Sequence, residues 1–290
     1  MKRRHKHTLL NCLLLVLAVL LFFMAQPYIL PGRSVIGRNI LQKVGLPAGF
    51  AGWHPVSLSD YYMRLQTAKA VNGRQDAGSS MDSGQLDHAV FQQTAFNKIT
   101  QELAPRYGVF VSQDEINSEY ARLQRQAGHD SIADTYGLSE EQFKQDIILP
   151  DLLSAKLAVW LASNKQLNGS AYRKLAQAQS ALSAGGSFDQ VASDFSDDGF
   201  GAQTGGDLGY VSEDDVFPEL YAAFAAAKDS KPHVAYSRLG IHLFEVLGTD
   251  NNGPGATARY HVRQIFIKTQ DYNAWFASQA KNYKIIKLAQ

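Results

Sequence analysis

The apolar and polar positions divide the chain into three textures. Residues 9–25, LLNCLLLVLAVLLFFMA, are an almost unbroken apolar run, close to the shortest that spans a bilayer. Residues 26–55 mix Pro, Gly and short apolar pieces and read as a linker. Over 57–70, Tyr61, Tyr62 and Leu65 give a helical pattern, and a polar loop follows at 72–85. Leu86, Val90, Ala95, Ile99 and Leu103 then fall near a helical repeat. Ser112 with Glu115, and Ser139 with Gln142, have the spacing of capping boxes and mark two further helix starts. The second helix presents Phe143, Ile147, Leu152, Leu153, Leu157 and Trp160, and Pro150 is expected to kink or divide it. A helix over 170–184 ends at Gly185-Gly186.

Beyond Gly186 the elements shorten. A brief helix at 188–195, the strand DLGYV, an Ala-rich helix at 217–227 and the strands HVAY and IHLFEVL follow one another. A turn-rich link at 249–256 leads to a strand at 259–268, RYHVRQIFIK, then a helix through Trp275 and a last strand, YKIIKL. Within 259–268, Ile265 and Ile267 point to one face, and Val262, Gln264 and Phe266 to the other. Mostly antiparallel strands with interspersed helices predict an α+β fold. The expected layout is a basic tail at 1–7, a transmembrane helix at 8–25, a linker at 26–55, a helical domain at 56–168, a sheet domain at 169–268, and a C-terminal segment at 269–290 that returns to the helical domain.

Charge sharpens the N-terminal reading. The chain of 290 residues is 45% hydrophobic with a net charge of +1, but residues 1–7 alone carry four Lys/Arg. The rest is mildly acidic, which argues against a nucleic-acid surface. A basic start before an apolar run is a targeting pattern, either a cleaved signal peptide or an uncleaved anchor. The run ends in Phe23, Met24 and Ala25, and the bulky Phe favours the uncleaved signal-anchor. Residues 1–7 are then cytoplasmic and the bulk extracytoplasmic in a single-pass cell-membrane protein. Cys12 is the only cysteine, which rules out an intramolecular disulfide. There is no phosphate-binding loop, nucleotide fingerprint or nucleophile elbow, and no metal-spaced His pair outside His5 and His7. No cofactor and no metal are expected.

Five ordered pieces carry the candidate chemistry: G-x-F-x-x-V-A at 186–192, F-S-D at 195–197, G-G-D-L-G at 205–209, F-P-E at 217–219 and G-I-H at 240–242. In order and spacing they resemble the parvulin family of peptidyl-prolyl cis-trans isomerases. The resemblance implies rotation about X-Pro bonds, which requires no nucleophile. Amide resonance sets a barrier of roughly 18–20 kcal/mol, and an enzyme lowers it by gripping the proline ring and favouring the twisted amide electrostatically. It further implies an apolar slot formed by Leu208, Val216 and Leu220, faced by a polar cluster of Asp198, Ser237 and His242. Read alone, Asp198 is a loop or helix-terminus residue, Ser237 a turn residue, and His242 a core histidine. The family's first strand carries a second histidine. Here Gln264 in QIFIK takes its place, with Phe266 beside it, so that the first strand comes from the C-terminal side. Glutamine can donate and accept hydrogen bonds but carries no charge. Residues 187–219 hold nine Asp/Glu and no Lys, Arg or His, which argues against phosphorylated substrates.

Residues 86–163, with GVFVSQDEINSEYARL and YGLSEEQFKQDIILPDLLSAKL, resemble the N-terminal helical module of SurA-like and PrsA-like folding factors. That implies an apolar groove for unfolded segments. Together the readings describe a membrane-anchored, extracytoplasmic prolyl isomerase and chaperone acting on unfolded or newly translocated polypeptides with X-Pro bonds. The alternative is a non-catalytic holdase that keeps the parvulin shape for peptide binding.

Overall fold

The computed structural model describes residues 46–73, 81–128, 131–136, 138–251 and 257–289. The basic tail, the expected transmembrane helix and most of the expected linker lie outside the described residues. Among the described residues, no helix is long and apolar enough to cross a membrane.

In chain order the elements begin with β1 (Pro47–Ala51), β2 (His54–Ser57), α1 (Leu58–Asn72), α2 (Ser83–Arg106), α3 (Gln113–Ala127), α4 (Ile132–Thr135) and α5 (Glu140–Phe143). A π-helical turn, Lys144–Ile148, leads to α6 (Leu149–Ser163), α7 (Gly169–Ser183), α8 (Phe188–Phe195) and α9 (Gly199–Gln203). The remainder is β3 (Asp207–Val211), α10 (Pro218–Ala226), β4 (His233–Ser237), β5 (Gly240–Asp250), β6 (Arg259–Lys268), α11 (Tyr272–Ala280) and β7 (Ile285–Lys287). The architecture is α+β with antiparallel sheets. The described residues divide into two compact units. One falls within Met1–Leu103, Asp114–Pro150 and Gln279–Gln290; the other comprises Ala104–Gln113 and Asp151–Ser278.

The first unit is helical around a small sheet of order β2-β1-β7. Residues 47–55, read from the sequence as linker, form a hairpin instead. Its strands are stabilised by a partner from the far end of the chain, β7, which pairs antiparallel with Gly49–Ala51. Ala48, Ala51 and Val56 are fully buried as a result. Ser57 caps α1 by accepting from the Asp60 amide, and Tyr61, Leu65, Phe91 and Ile99 fill the core. The Tyr61 hydroxyl and the Lys287 ammonium both donate to Asp87, which ties α1 and β7 to α2.

Pro150 does not break a helix. It is the second residue of α6, where a missing N–H is tolerated, and it follows the π turn, in which the Leu149 amide reaches back to the Lys144 carbonyl. The capping box of Ser139 and Gln142 is complete at the start of α5.

The second unit is built on a four-stranded antiparallel sheet of order β3-β6-β5-β4. Alternation along β5 and β6 loads its two faces differently. Ile241, Leu243, Ile265 and Ile267 pack under α7 and α8 with Ala171, Leu175, Phe188 and Val191. Phe244 and Val262 face the other way, against Leu220 and Phe224 of α10. His242 and Gln264 alternate onto this second face, beside Phe244. Strand β6, the late segment RYHVRQIFIK, is an interior strand of the sheet.

Candidate functional site

The centre of the site is one buried imidazole with a partner on each ring nitrogen. His242 on β5 is 3% exposed. Its Nδ1 lies 2.7 Å from Gln264 Oε1 on β6, and its Nε2 lies 2.8 Å from Ser237 Oγ on β4. A carboxamide oxygen only accepts, so Nδ1 carries the proton. Burial pushes the imidazole below its ordinary range, against the opposing pull of the Gln264 hydrogen bond and the Glu219 carboxylate. Nε2 is therefore an acceptor, and the Ser237 hydroxyl donates to it. Ser237 Oγ in turn accepts the Leu239 amide at 3.1 Å. The result is a neutral hydrogen-bond chain across three strands, and it follows from pairing: β4 and β5 are antiparallel through Ser237↔Gly240 and Ala235↔His242, and β5 meets β6 at His242↔Phe266 and Phe244↔Gln264.

The expected slot residues fall on the same face. Leu220 is buried in the cluster of Val211, Phe224, Phe244 and Val262, with Leu208 and Val216 packed against it. The Phe266 ring lies 5.1 Å from the imidazole. Asp198 is placed differently. Its carboxylate accepts the Phe200 amide at 3.2 Å and its own amide donates to Ser196 Oγ. It caps α9 and is not hydrogen-bonded to His242. A short carboxylate before a helix has its best acceptor role in capping the first amides, and that geometry wins here.

Other residues of the five motifs hold the site in place, which their spacing did not reveal. Strand β3 runs beside β6 only as far as Arg263. Beyond it the Gly206 carbonyl accepts the Gln264 amide at 2.9 Å, and the F-S-D loop continues the ladder with side chains. Ser196 Oγ accepts the Phe266 amide, the Asp197 amide donates to the Phe266 carbonyl, and Asp197 Oδ2 accepts the Lys268 amide. Lys174 anchors the other carboxylate oxygen at 2.6 Å. Gly206 adopts φ +83°, and a Cβ there would lie 2.3 Å from the Gln264 carbonyl oxygen. Only glycine fits that approach. Glu219 of F-P-E accepts the main-chain and side-chain N–H groups of Arg238, tying α10 to the turn that follows Ser237.

The first unit holds a separate feature, an apolar groove of about 380 Å³ lined by residues that include Met63, Val71, Met81, Leu86, Tyr136 and Ile147. Val71, Met81, Tyr136 and Ile147 are all exposed. Arg64 and Asp146 also line it and pair at 3.1 Å. Burial raises the Asp146 carboxyl above its ordinary range, with Arg64 opposing. Among the described residues, no cluster of His, Cys, Asp and Glu is arranged to hold a metal ion.

Residues 139–250 match the family model described as the PPIC-type PPIase domain. The chain is 38% identical over 68 residues to the chaperone SurA of Burkholderia thailandensis, a stretch covering 23% of this chain and 15% of that protein. Similar structures include the foldase protein PrsA of Streptococcus pneumoniae, at 18% identity over 72% of this chain and 83% of that one, with a TM-score of 0.23. Another is the peptidylprolyl isomerase PrsA of Bacillus anthracis, at 20% identity over 64% and 85% of the two chains, with a TM-score of 0.21. The stretch that is similar to the PPIC-type PPIase domain, residues 139–250, is less than half of the chain, and the chain spans only a small part of the length of the curated relative it matches.

Proposed function

We propose that the protein is a peptidyl-prolyl cis-trans isomerase that also holds unfolded polypeptide. The observation that carries the isomerase reading is His242, hydrogen-bonded at both nitrogens by Ser237 and Gln264 on the face that carries Leu208, Val216 and Leu220. The proline ring sits in the apolar slot, and the fixed dipoles of the neutral chain favour the twisted amide over the planar one. Strand β6 takes the part of the family's first strand, supplied from the C-terminal side. Its place inside the sheet, although it lies outside the stretch 139–250 that matches the family, supports this. Gln264 then stands in for a histidine and keeps the hydrogen bond without the charge. The exposed apolar groove of the first unit supports the holding activity. The basic residues 2–6 and the apolar run 9–25 support a signal-anchor, with the bulk extracytoplasmic and newly translocated chains as clients.

The rival is a holdase without catalysis, favoured by Val216 and Leu220, where the parvulin resemblance implies larger Met and Phe, and by Gln264 in the place of a histidine. A protease-free isomerisation assay on an X-Pro tetrapeptide separates the two. The isomerase reading expects acceleration by the wild type that is lost in His242→Ala. Equal rates for the two proteins would leave only the holdase.

A further inference from the structure

The sheet unit has a concavity that reaches the surroundings of His242 through Phe266 and Leu239. It holds about 560 Å³. One side is a stripe of α6 that includes Ser154, Ala155 and Ala158; the other is the β4–β5 turn, the end of β6 and the start of α11. Two of its lining residues belong to the isomerase site's own surroundings. Phe266 packs on the His242 ring, and the Leu239 amide is hydrogen-bonded to Ser237 Oγ.

The lining suits an extended polypeptide. Ala155 and Ala158 are small and leave the space open. Leu239 is 56% exposed at the lip, an apolar side chain left in water beside the slot. Two donors lack acceptors. The Lys268 main chain is fixed by Asp197, yet its exposed ammonium has no carboxylate partner among the described residues. The Tyr272 hydroxyl is buried with no partner at hydrogen-bonding geometry, and burial raises its pKa, against the opposing effect of Ser154, so it stays a donor. Arg238 also lines the cleft, but its charge is committed to Glu219. An unfolded chain presents free main-chain carbonyls, the acceptors that such donors lack.

We propose that this cleft is a subsite for the client residues adjoining the isomerised X-Pro bond, giving the enzyme a preference for long unfolded chains over short peptides. The proposal rests on the isomerase reading. Its test compares kcat/KM of the full chain on an X-Pro tetrapeptide with that on a 12-residue peptide with the same core. The wild type is expected to favour the longer peptide, and Leu239→Glu and Ala155→Phe are each expected to cut the long-to-short ratio about tenfold, a change of roughly 1.4 kcal/mol. A ratio unmoved by both variants overturns the subsite. Failure of the isomerase reading shows separately, as no acceleration of either peptide by the wild type. The subsite is then judged from the Kd of the 12-residue peptide, which both variants must weaken about tenfold for it to stand.

Discussion

The sheet unit and the helical unit differ in what they hold fixed. In the sheet unit the polar groups are the fixed part: His242, Ser237 and Gln264 are locked by strand pairing, and apolar residues stand beside them. In the helical unit apolar side chains line an open groove, two of them flexible methionines, and the charged pair Arg64–Asp146 lines the same groove. Rotation about one bond requires dipoles held in one orientation. Holding an unfolded chain requires area and adaptability, which exposed Met and aliphatic groups supply without direction. On the proposed function, the difference gives catalysis to the sheet unit and holding to the helical one.

Breaking the centre of the sheet site should have the largest effect. His242→Ala removes the group that joins Ser237 to Gln264, and kcat/KM on a tetrapeptide is expected to fall about 100-fold, the scale of one lost preorganised polar group. Suppression of client aggregation should change less than twofold. Next comes Gly206→Ala, which forces a Cβ toward the Gln264 carbonyl at positive φ. The sheet unit should lose about 2 kcal/mol of stability, read by denaturant unfolding, with its near-ultraviolet signal moving ahead of the helical unit's.

A change in the groove tests the other half of the comparison. Ile147→Glu places a charge on apolar surface, and the Kd for a permanently unfolded client should rise about tenfold, while the tetrapeptide rate moves less than twofold. If the rate falls tenfold as well, the division of labour is wrong. The smallest effect belongs to Gln264→Leu. It leaves the His242 Nδ1 proton without an acceptor, a loss of about 1 kcal/mol, and the tetrapeptide rate should drop about fivefold.

Much of the sheet unit was legible because its signals are local. The strand DLGYV, the alternation through Gln264, and the glycines of G-G-D-L-G each mark a backbone requirement within a few residues. Joining Ser237, His242 and Gln264 into one cluster needed the family frame, since β4, β5 and β6 meet only through pairing. What was missed depends on distant partners. The hairpin at 47–57 is too short and glycine-rich to read alone, and it is completed by β7 more than two hundred residues later. Ser196 and Asp197 look like solvated loop residues until β3 is seen to end beside Arg263. The parvulin resemblance puts Asp198 in the polar cluster, and in the structure its carboxylate caps α9. Pro150 is expected to kink or divide its helix, and the irregularity lies just before it, in a π turn that has no sequence signature.

The claim that the site works as a neutral hydrogen-bond chain is tested most directly by the pH dependence of kcat/KM on a tetrapeptide, for the wild type and His242→Ala, from pH 8 to pH 6. Burial lowers the His242 pKa from its usual 6.5, so the imidazole stays neutral as pH falls through the range where a free histidine gains its proton. The account expects a flat wild-type profile about 100-fold above the variant. A wild-type rate that changes through pH 6.5, or one that matches His242→Ala across the range, would contradict it.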